Sequence, residues 1–368
     1  MIIIDGLWDN EKNNTILRNE LHKFDGFSLL NQGFTGYFKN SSINRPVDSL
    51  NCISTLFGIP QNLIPDGRAY MEALANNIQI KNNDLILRCN LITLDNENII
   101  ISNSANISDE KSKYFFELLN HNFNKKGCYF YHTGGYRGLL LLKNKKYFFN
   151  SLHFQPPHEN IGQKFKKFND CEYGNILNEI IDFSQIIRKD FSNLNLSVSF
   201  WSESFKSELP NYHNYLNGET VVISGTSVVN GIAKSVGIDF YNDKEFTGDT
   251  DTNLFKKCKL ALSLKEKYQN IIIHINGADE ASHRKNFEKK LNFINEIGKV
   301  FIYNIINKSE NNDRFLVCSD HSSDSLTGKH IGDNQMFWLY YKDIIQNKTN
   351  KVFDGKQALS ILSNREDY

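Results

Sequence analysis

The chain has 368 residues, with 42 Lys+Arg against 42 Asp+Glu and a formal net charge of zero. That length exceeds what one hydrophobic core organises and points to two domains, while the charge balance excludes a broad basic nucleic-acid face, though not a local basic pocket. Apolar residues make up 40% and aromatics 12%, enough for packed interiors, yet no apolar run reaches the length of a membrane span.

The start, Met1-Ile-Ile-Ile-Asp5-Gly6, carries neither a basic segment nor a cleavage pattern. The six cysteines are scattered without a Cys-x-x-Cys spacing and read as thiols of a reducing compartment. A cytoplasmic location is expected. Residues 2–4 form a short strand, too apolar to be half exposed. Asp5 ends it, and Gly6 permits a sharp turn. Alone, Asp5 is equally a turn former or helix cap. Residues 10–45 are Asn-rich, with a helical piece around 15–24.

In Arg45-Pro46-Val-Asp48-Ser49, Pro46 blocks a helix before it, Asp48 or Ser49 can cap the helix that follows, and Gly58 can end it. Ser49 is either that cap or a nucleophile at a helix start, where free N–H groups favour an arriving phosphate. Gly67-Arg68 opens a helix running through Glu72. Residues 85–94 read as a strand, and Arg88 inside it calls for an anionic partner. From about 95 to 205 the pattern becomes hairpin-like, with strands near 128, 138 and 146, and resembles an α+β insertion. There Gly134-Gly135-Tyr136-Arg137-Gly138 presents an arginine, and Pro156-Pro157-His158 begins a polar loop.

Ser224-Gly225-Thr226 returns to a strand followed by a glycine turn. A crossover helix over 228–236, a strand over 238–241, an acidic loop with Asp249 and Asp251, and a helix over 254–269 follow. The next apolar strand leads to Asp279, with His283 one helical turn further on the same face. A long helix to 297 precedes the strand 315–318, which stops at Asp320-His321; His330 lies beyond. Three apolar strands thus lead to an Asp, and three His lie behind two of them. Asp and His suit Mn²⁺ or Zn²⁺, and ligands gather outside the carboxyl ends of strands in an open α/β sheet. The expected fold is α/β, with a mainly parallel sheet, helices on both faces and an inserted smaller α+β cap domain. Residues 1–94 and 206–368 would form the core and 95–205 the cap.

Asp5-Gly, Ser49 before a helix ending at Gly58, Gly67-Arg68 with Glu72, Arg88-Cys-Asn90, Tyr136-Arg137-Gly, Asn230-Gly-Ile-Ala-Lys, Asp251-Thr-Asn, Asp279-Glu-Ala-x-His283, Asp320-His321-Ser and His330 occur in one order. That order resembles the cofactor-independent phosphoglycerate mutases, in particular their archaeal-type branch, within the alkaline phosphatase superfamily, over nearly the whole chain. The resemblance implies an alkaline phosphatase-like core, two divalent metal ions and a serine that becomes phosphorylated. By motif matching, Asp5, Ser49, Asp320 and His321 would hold one ion, and Asp279, His283 and His330 the other. Arg68, Arg88, Asn90, Arg137, His158 and Asp251 would bind substrate. Mn²⁺ is the first choice of metal, with Zn²⁺ and Mg²⁺ as alternatives and no organic cofactor. The partner would be a small phosphorylated substrate, with no nucleic acid and no membrane; the oligomeric state is not set by the sequence.

The chain departs from the family at four places. Ser49-Leu-Asn51-Cys-Ile53 stands for Ser-Asp-Thr-Ala-His, and Gly135-Tyr136-Arg137-Gly138 for Gly-His-Arg-Gly. Asn230 takes the place of a lysine, and Trp201-Ser-Glu-Ser204 that of Trp-Gly-x-Gly. All four fall where the leaving group would bind. The expected function is phosphoryl transfer through a phosphoserine, as in a mutase interconverting 2- and 3-phosphoglycerate or a paralogous phosphomutase. A phosphatase of the superfamily and a non-catalytic metal-binding protein are the alternatives.

Overall fold

The chain divides into two compact units, Met1–Ile64 with Leu209–Tyr368, and Pro65–Glu208. The computed structural model describes all residues except 106, 146–153, 155, 170–171, 192–194, 210–217, 343–346 and 364–368.

The first unit is built on a sheet in the order Asn347–Asp354, Phe34–Lys39, Gln335–Tyr341, Arg314–Cys318, Ile2–Ile4, Asn270–Ile275, Thr220–Ile223, Asp239–Tyr241. Gln335–Tyr341 runs against both its neighbours, and the remaining pairings are parallel. The strand Ile2–Ile4 shows why. All three residues are at most 1% exposed, so both faces of the sheet are covered, and such a strand has no polar side to alternate. Ile2 and Ile4 pack into a core with residues of the helices Glu11–Leu21, Asp25–Leu30, Leu254–Leu264 and Phe287–Glu296. Ile3 points to the other face. Each buried aliphatic of this kind contributes about 1.5–3 kcal/mol to folding. Because these strands are parallel, their carboxyl ends share one edge. Asp5, Ser224, Asn276 and Ser319 each follow a strand there.

The second unit is antiparallel. Leu85–Leu94 pairs with Leu196–Ser204 on one side and with Arg137–Leu142 and Ile100–Ser102 on the other; Cys128–Gly134 pairs with Arg137–Leu142 beyond it. Helices Asp109–Phe123 and Glu172–Ile187 share its core through Phe115, Phe116, Leu119, Leu177 and Ile181.

Several expected boundaries move. Leu85–Leu94 belongs to the second unit, so the division lies at 64/65 rather than 94/95, and at 208/209 rather than 205/206. A mostly apolar strand reads as part of a parallel core, but here it is buried throughout and packs with residues of the second unit. The helix expected over 254–269 ends at Leu264. The long helix expected to 297 continues past it as a π-helical turn, Ile297–Ile302, into Tyr303–Asn307. Among the described residues no helix is long and apolar enough to cross a membrane.

Candidate metal centre and active site

Asp5 leaves the central strand with its amide bonded to the Ile275 carbonyl at 3.0 Å. Gly6 follows at φ +63, donating its N–H to Asp320 Oδ1 at 3.2 Å. A Cβ on Gly6 would lie 2.7 Å from Ser323 Oγ and 2.8 Å from the Asp279 Cα. Only glycine satisfies both the backbone angle and the close approach. This turn therefore brings three strand ends together. Asp320 is further fixed by Asn40, whose Nδ2 donates to the Ser319 and Asp320 carbonyls at 3.0 and 2.8 Å.

Ser49 is the first residue of the helix Ser49–Leu56. Its cap is Asp48, which accepts from the Asn51 amide at 2.8 Å, so the serine hydroxyl is not spent on capping. Instead Ser49 Oγ donates to Asp5 Oδ2 at 3.1 Å and lies 3.5 Å from His321 Nε2. His321 Nε2 is also 3.5 Å from Asp5 Oδ1 and 3.3 Å from Asp320 Oδ2. The second group stands beside the first. His283 Nε2 is 3.1 Å from Asp279 Oδ2, His330 Nε2 is 3.5 Å from Asp279 Oδ1, and the two imidazole nitrogens are 3.2 Å apart. The rings of His321 and His330 lie 4.1 Å apart between centroids. All seven sequence-singled residues thus meet in two adjoining groups.

Their chemistry fits divalent cations. Asp5, Asp320 and His321 offer ligand atoms within 4.8 Å of one another, and so do Asp279, His321 and His330. His321, expected with the first ion only, lies within reach of both groups. Asp5 Oδ1 and Asp320 Oδ2 are buried and, among the described residues, accept no hydrogen bond, which is costly for a carboxylate unless a cation serves it. Burial, then the charges of Asp320 and Asp279, push Asp5 up to about 7. Burial and Asp279 push Asp320 up to about 8. Burial also raises Asp279, but the charges and hydrogen bonds of His283 and His330 outweigh it and hold it well below the usual range. His283 Nδ1 faces the Gly328 carbonyl and His330 Nδ1 the Val47 carbonyl, both at 2.8 Å. A carbonyl only accepts, so each Nδ1 carries a proton and each Nε2 can offer its lone pair to a metal.

Four of the six residues expected to bind substrate group within the second unit. Arg88 is buried, pairs with Glu72 at 3.0 Å and lies 4.1 Å from the Trp201 ring centre; Arg68 lies 5.8 Å from the same ring. Asn90 stands opposite Arg137 in the strand pairing, and its Oδ1 accepts no hydrogen bond among the described residues. Burial lowers Arg88 to about 10 against the Glu72 charge, and Arg68 and Arg137 push it the same way as burial. At the departure Trp201-Ser-Glu-Ser204, Ser202 adopts a left-handed φ of 54, and its Oγ accepts the Arg68 amide at 2.9 Å. Asp251 sits in an exposed loop of the first unit, where it accepts from Thr247 at 2.5 Å. His158 falls in the turn Pro157–Asn160, but its side chain lies outside the described residues.

Sequence reasoning missed several supporting residues. His274 Nε2 lies 3.1 Å from Asp5 Oδ2. Ser323 Oγ donates to Asp279 Oδ1 at 2.5 Å. Lys290, fully buried, donates to Asp9 Oδ2 and to the Trp8 and Ser323 carbonyls, each at 2.8 Å. His274 had a signal, a titratable residue inside an apolar strand. Lys290 had none, since Glu288-Lys-Lys290 reads as a solvated helix face.

Residues 31–192 match a family model described as 2,3-bisphosphoglycerate-independent phosphoglycerate mutase. A protein of that name from Methanosarcina mazei is 24% identical over 345 residues, 90% of this chain and 86% of that one. One from Methanococcus vannielii is 27% identical over 366 residues, covering 94% and 89%. Two solved structures share the fold. A protein of Pyrococcus horikoshii aligns with a TM-score of 0.75 at 18% identity over 98% of this chain and 95% of that one. The cofactor-independent phosphoglycerate mutase of Thermoplasma acidophilum aligns with a TM-score of 0.59 at 15% identity over 98% and 97%. The chain is thus similar in sequence, along most of its length, to proteins named 2,3-bisphosphoglycerate-independent phosphoglycerate mutase, and it shares the fold of a solved one.

Proposed function

We propose that the protein is a metal-dependent phosphomutase that moves a phosphoryl group between two hydroxyls of one small acid, phosphoglycerate first, by way of Ser49. The observation that carries this reading is the placement of Ser49 Oγ, 3.1 Å from Asp5 Oδ2 and 3.5 Å from His321 Nε2, at the start of a helix. Asp5, Ser49, Asp320 and His321 would hold one divalent ion and Asp279, His283 and His330 the other, with Mn²⁺ as the first candidate. Bound, such ions lower the pKa of a serine hydroxyl and neutralise phosphoryl charge.

The chain's own groups do the rest. A serine hydroxyl is a weak nucleophile at neutral pH, and its proton points at Asp5 Oδ2. Ser49 Oγ attacks phosphorus, its proton leaves towards that carboxylate, and the bond from phosphorus to the substrate oxygen breaks. The departing oxygen takes up a proton. The second hydroxyl of the same acid then attacks the phosphoserine, and Ser49 is restored. The helix N-terminus directs N–H groups and a partial positive charge at the phosphoryl oxygens. Arg68, Arg88 and Arg137, three guanidinium groups with Glu72 paired to one of them, would bind substrate oxygens in a planar, bidentate manner. The buried thiols at Cys52, Cys89, Cys128, Cys258 and Cys318 suit a reducing compartment such as the cytoplasm.

The test is incubation with 3-phosphoglycerate and Mn²⁺, following 2-phosphoglycerate and free phosphate together. Isomer without phosphate supports the mutase. Phosphate without isomer makes the protein a hydrolase in which water resolves the phosphoserine. Neither product, with Mn²⁺ bound, overturns the reading.

A further inference from the structure

We propose that His274 is a positioning residue for Asp5, holding one carboxylate oxygen so that the other is presented to a divalent cation. This rests on the metal reading above. His274 sits inside the strand Asn270–Ile275, in register with Ile3, and is 1% exposed. A histidine there gains nothing from packing that an isoleucine would not supply. Both of its nitrogens are engaged. Nε2 faces Asp5 Oδ2 at 3.1 Å, and Nδ1 lies 3.3 Å from both Ser224 Oγ and Thr226 Oγ1.

The partners decide where the proton sits. A carboxylate only accepts, whereas hydroxyls can donate. Nε2 therefore carries the hydrogen, and Nδ1 accepts from Ser224 or Thr226. Those hydroxyls are held in turn. They lie 3.1 Å apart, and the Thr226 amide donates to Ser224 Oγ at 3.0 Å. Gly225 between them is obligatory, because a Cβ would fall 1.6 Å from the Phe246 carbonyl oxygen. The backbone at this point is tied as well: Lys257 Nζ, itself buried, donates to the His274 carbonyl at 3.1 Å.

The consequence appears at Asp5. Its Oδ2 accepts from Ser49 Oγ and from His274, both at 3.1 Å, while Oδ1 accepts nothing among the described residues. The carboxylate is thereby oriented, with one lone-pair-bearing oxygen left for a metal on the Asp320 and His321 side. This reverses the usual arrangement in which a carboxylate orients a ligating histidine; here a histidine orients a ligating carboxylate. It also gives a role to Ser224-Gly225-Thr226, which the proposed reaction does not otherwise use.

The experiment titrates metal-free full-length protein with Mn²⁺ and resolves the two binding events. For His274→Ala we expect one event to weaken about 10–100-fold and the other to stay, the range typical of lost outer contacts at metal sites. His274→Gln, whose amide N–H can replace Nε2–H, should recover most of the loss, which a purely structural role would not predict. Independently of any variant, nitrogen-resolved NMR of the Mg²⁺-loaded wild type should find His274 protonated at Nε2. Should His274→Ala not fold, the Ser224→Ala/Thr226→Val pair is expected to weaken the same event to a smaller degree. Unchanged affinity at both events in a folded variant, or a His274 proton on Nδ1, overturns the proposal while leaving the metal reading intact. A wild type that binds no Mn²⁺ overturns both.

Discussion

Asp5 and Asp279 each follow a buried strand of the same sheet, and both are almost fully shielded from water. Around Asp279 stand two imidazoles whose Nε2 atoms point at it, and they hold its carboxyl well below the ordinary range. Around Asp5 stand Asp320, a hydroxyl and two histidines, and burial with the neighbouring carboxylates pushes it up to about 7. His321 gives little help, because burial and then His330 hold it well below its usual value. The second group neutralises itself with protein charges. The first is a concentration of negative charge that a bound cation, or in its absence a proton, relieves. The lesson is that the same residue types, at the same sheet edge, place different demands on a metal.

The largest expected effect tests what the first group is for. Ser49→Ala should lower turnover by at least about 10³-fold, as loss of a nucleophile does, while Mn²⁺ stoichiometry measured by elemental analysis stays near wild type. Unchanged turnover would show that the hydroxyl is not the nucleophile. Next comes the buried ion pair behind both groups. Lys290→Met leaves Asp9 buried and unpaired and should cost about 3–5 kcal/mol in denaturant unfolding; a loss under about 1 kcal/mol would show that water or another donor replaces the ammonium.

Third, one substitution should act with opposite signs at the two groups. A carboxyl whose folded value is raised binds its proton in the native state while the unfolded chain has lost it. Stability from Asp5 and Asp320 is therefore present below about pH 4, and falls as pH rises towards about 7 and 8. Asp279 is lowered, so its contribution is present above the ordinary carboxyl range and lost in acid. In chelator-treated protein at pH 8, Asp320→Asn should raise stability and Asp279→Asn lower it, each by roughly 1 kcal/mol or more. Thermal melts with and without chelator check this, and equal signs would end the contrast between the groups. The smallest effect is at Ser323, which donates to Asp279. Ser323→Ala should weaken the metal event at the Asp279 group about tenfold, read by Mn²⁺ titration, and affect the other less, through His321 Nδ1 at 3.3 Å.

Much of this was legible in the sequence because strand ends are legible. An apolar run closed by Asp5, Asp279 or Asp320 marks both a strand and the edge it leaves, and parallel order puts those edges together. The spacing from Asp279 to His283 already fixed one helix face. What escaped has physical causes. Leu85–Leu94 is buried throughout and mostly apolar, and a local pattern cannot tell a strand buried by the main sheet's helices from one buried by an insert. Lys290 and Asp9 lie 281 positions apart, so their pairing is a fact of packing alone. At Ser49, either Asp48 or Ser49 could have capped the helix, and only the Asn51 amide on Asp48 shows which one is free for chemistry.

The central claim is that a serine alcohol, served by two cations, carries the phosphoryl group. The most direct measurement is rapid quenching of the Mn²⁺-loaded protein during turnover of 3-phosphoglycerate, followed by peptide mass spectrometry. The account predicts phosphate on Ser49, and none when Ser49→Ala is treated alike. Phosphate on another residue, or a protein that isomerises substrate while never carrying phosphate, would contradict it.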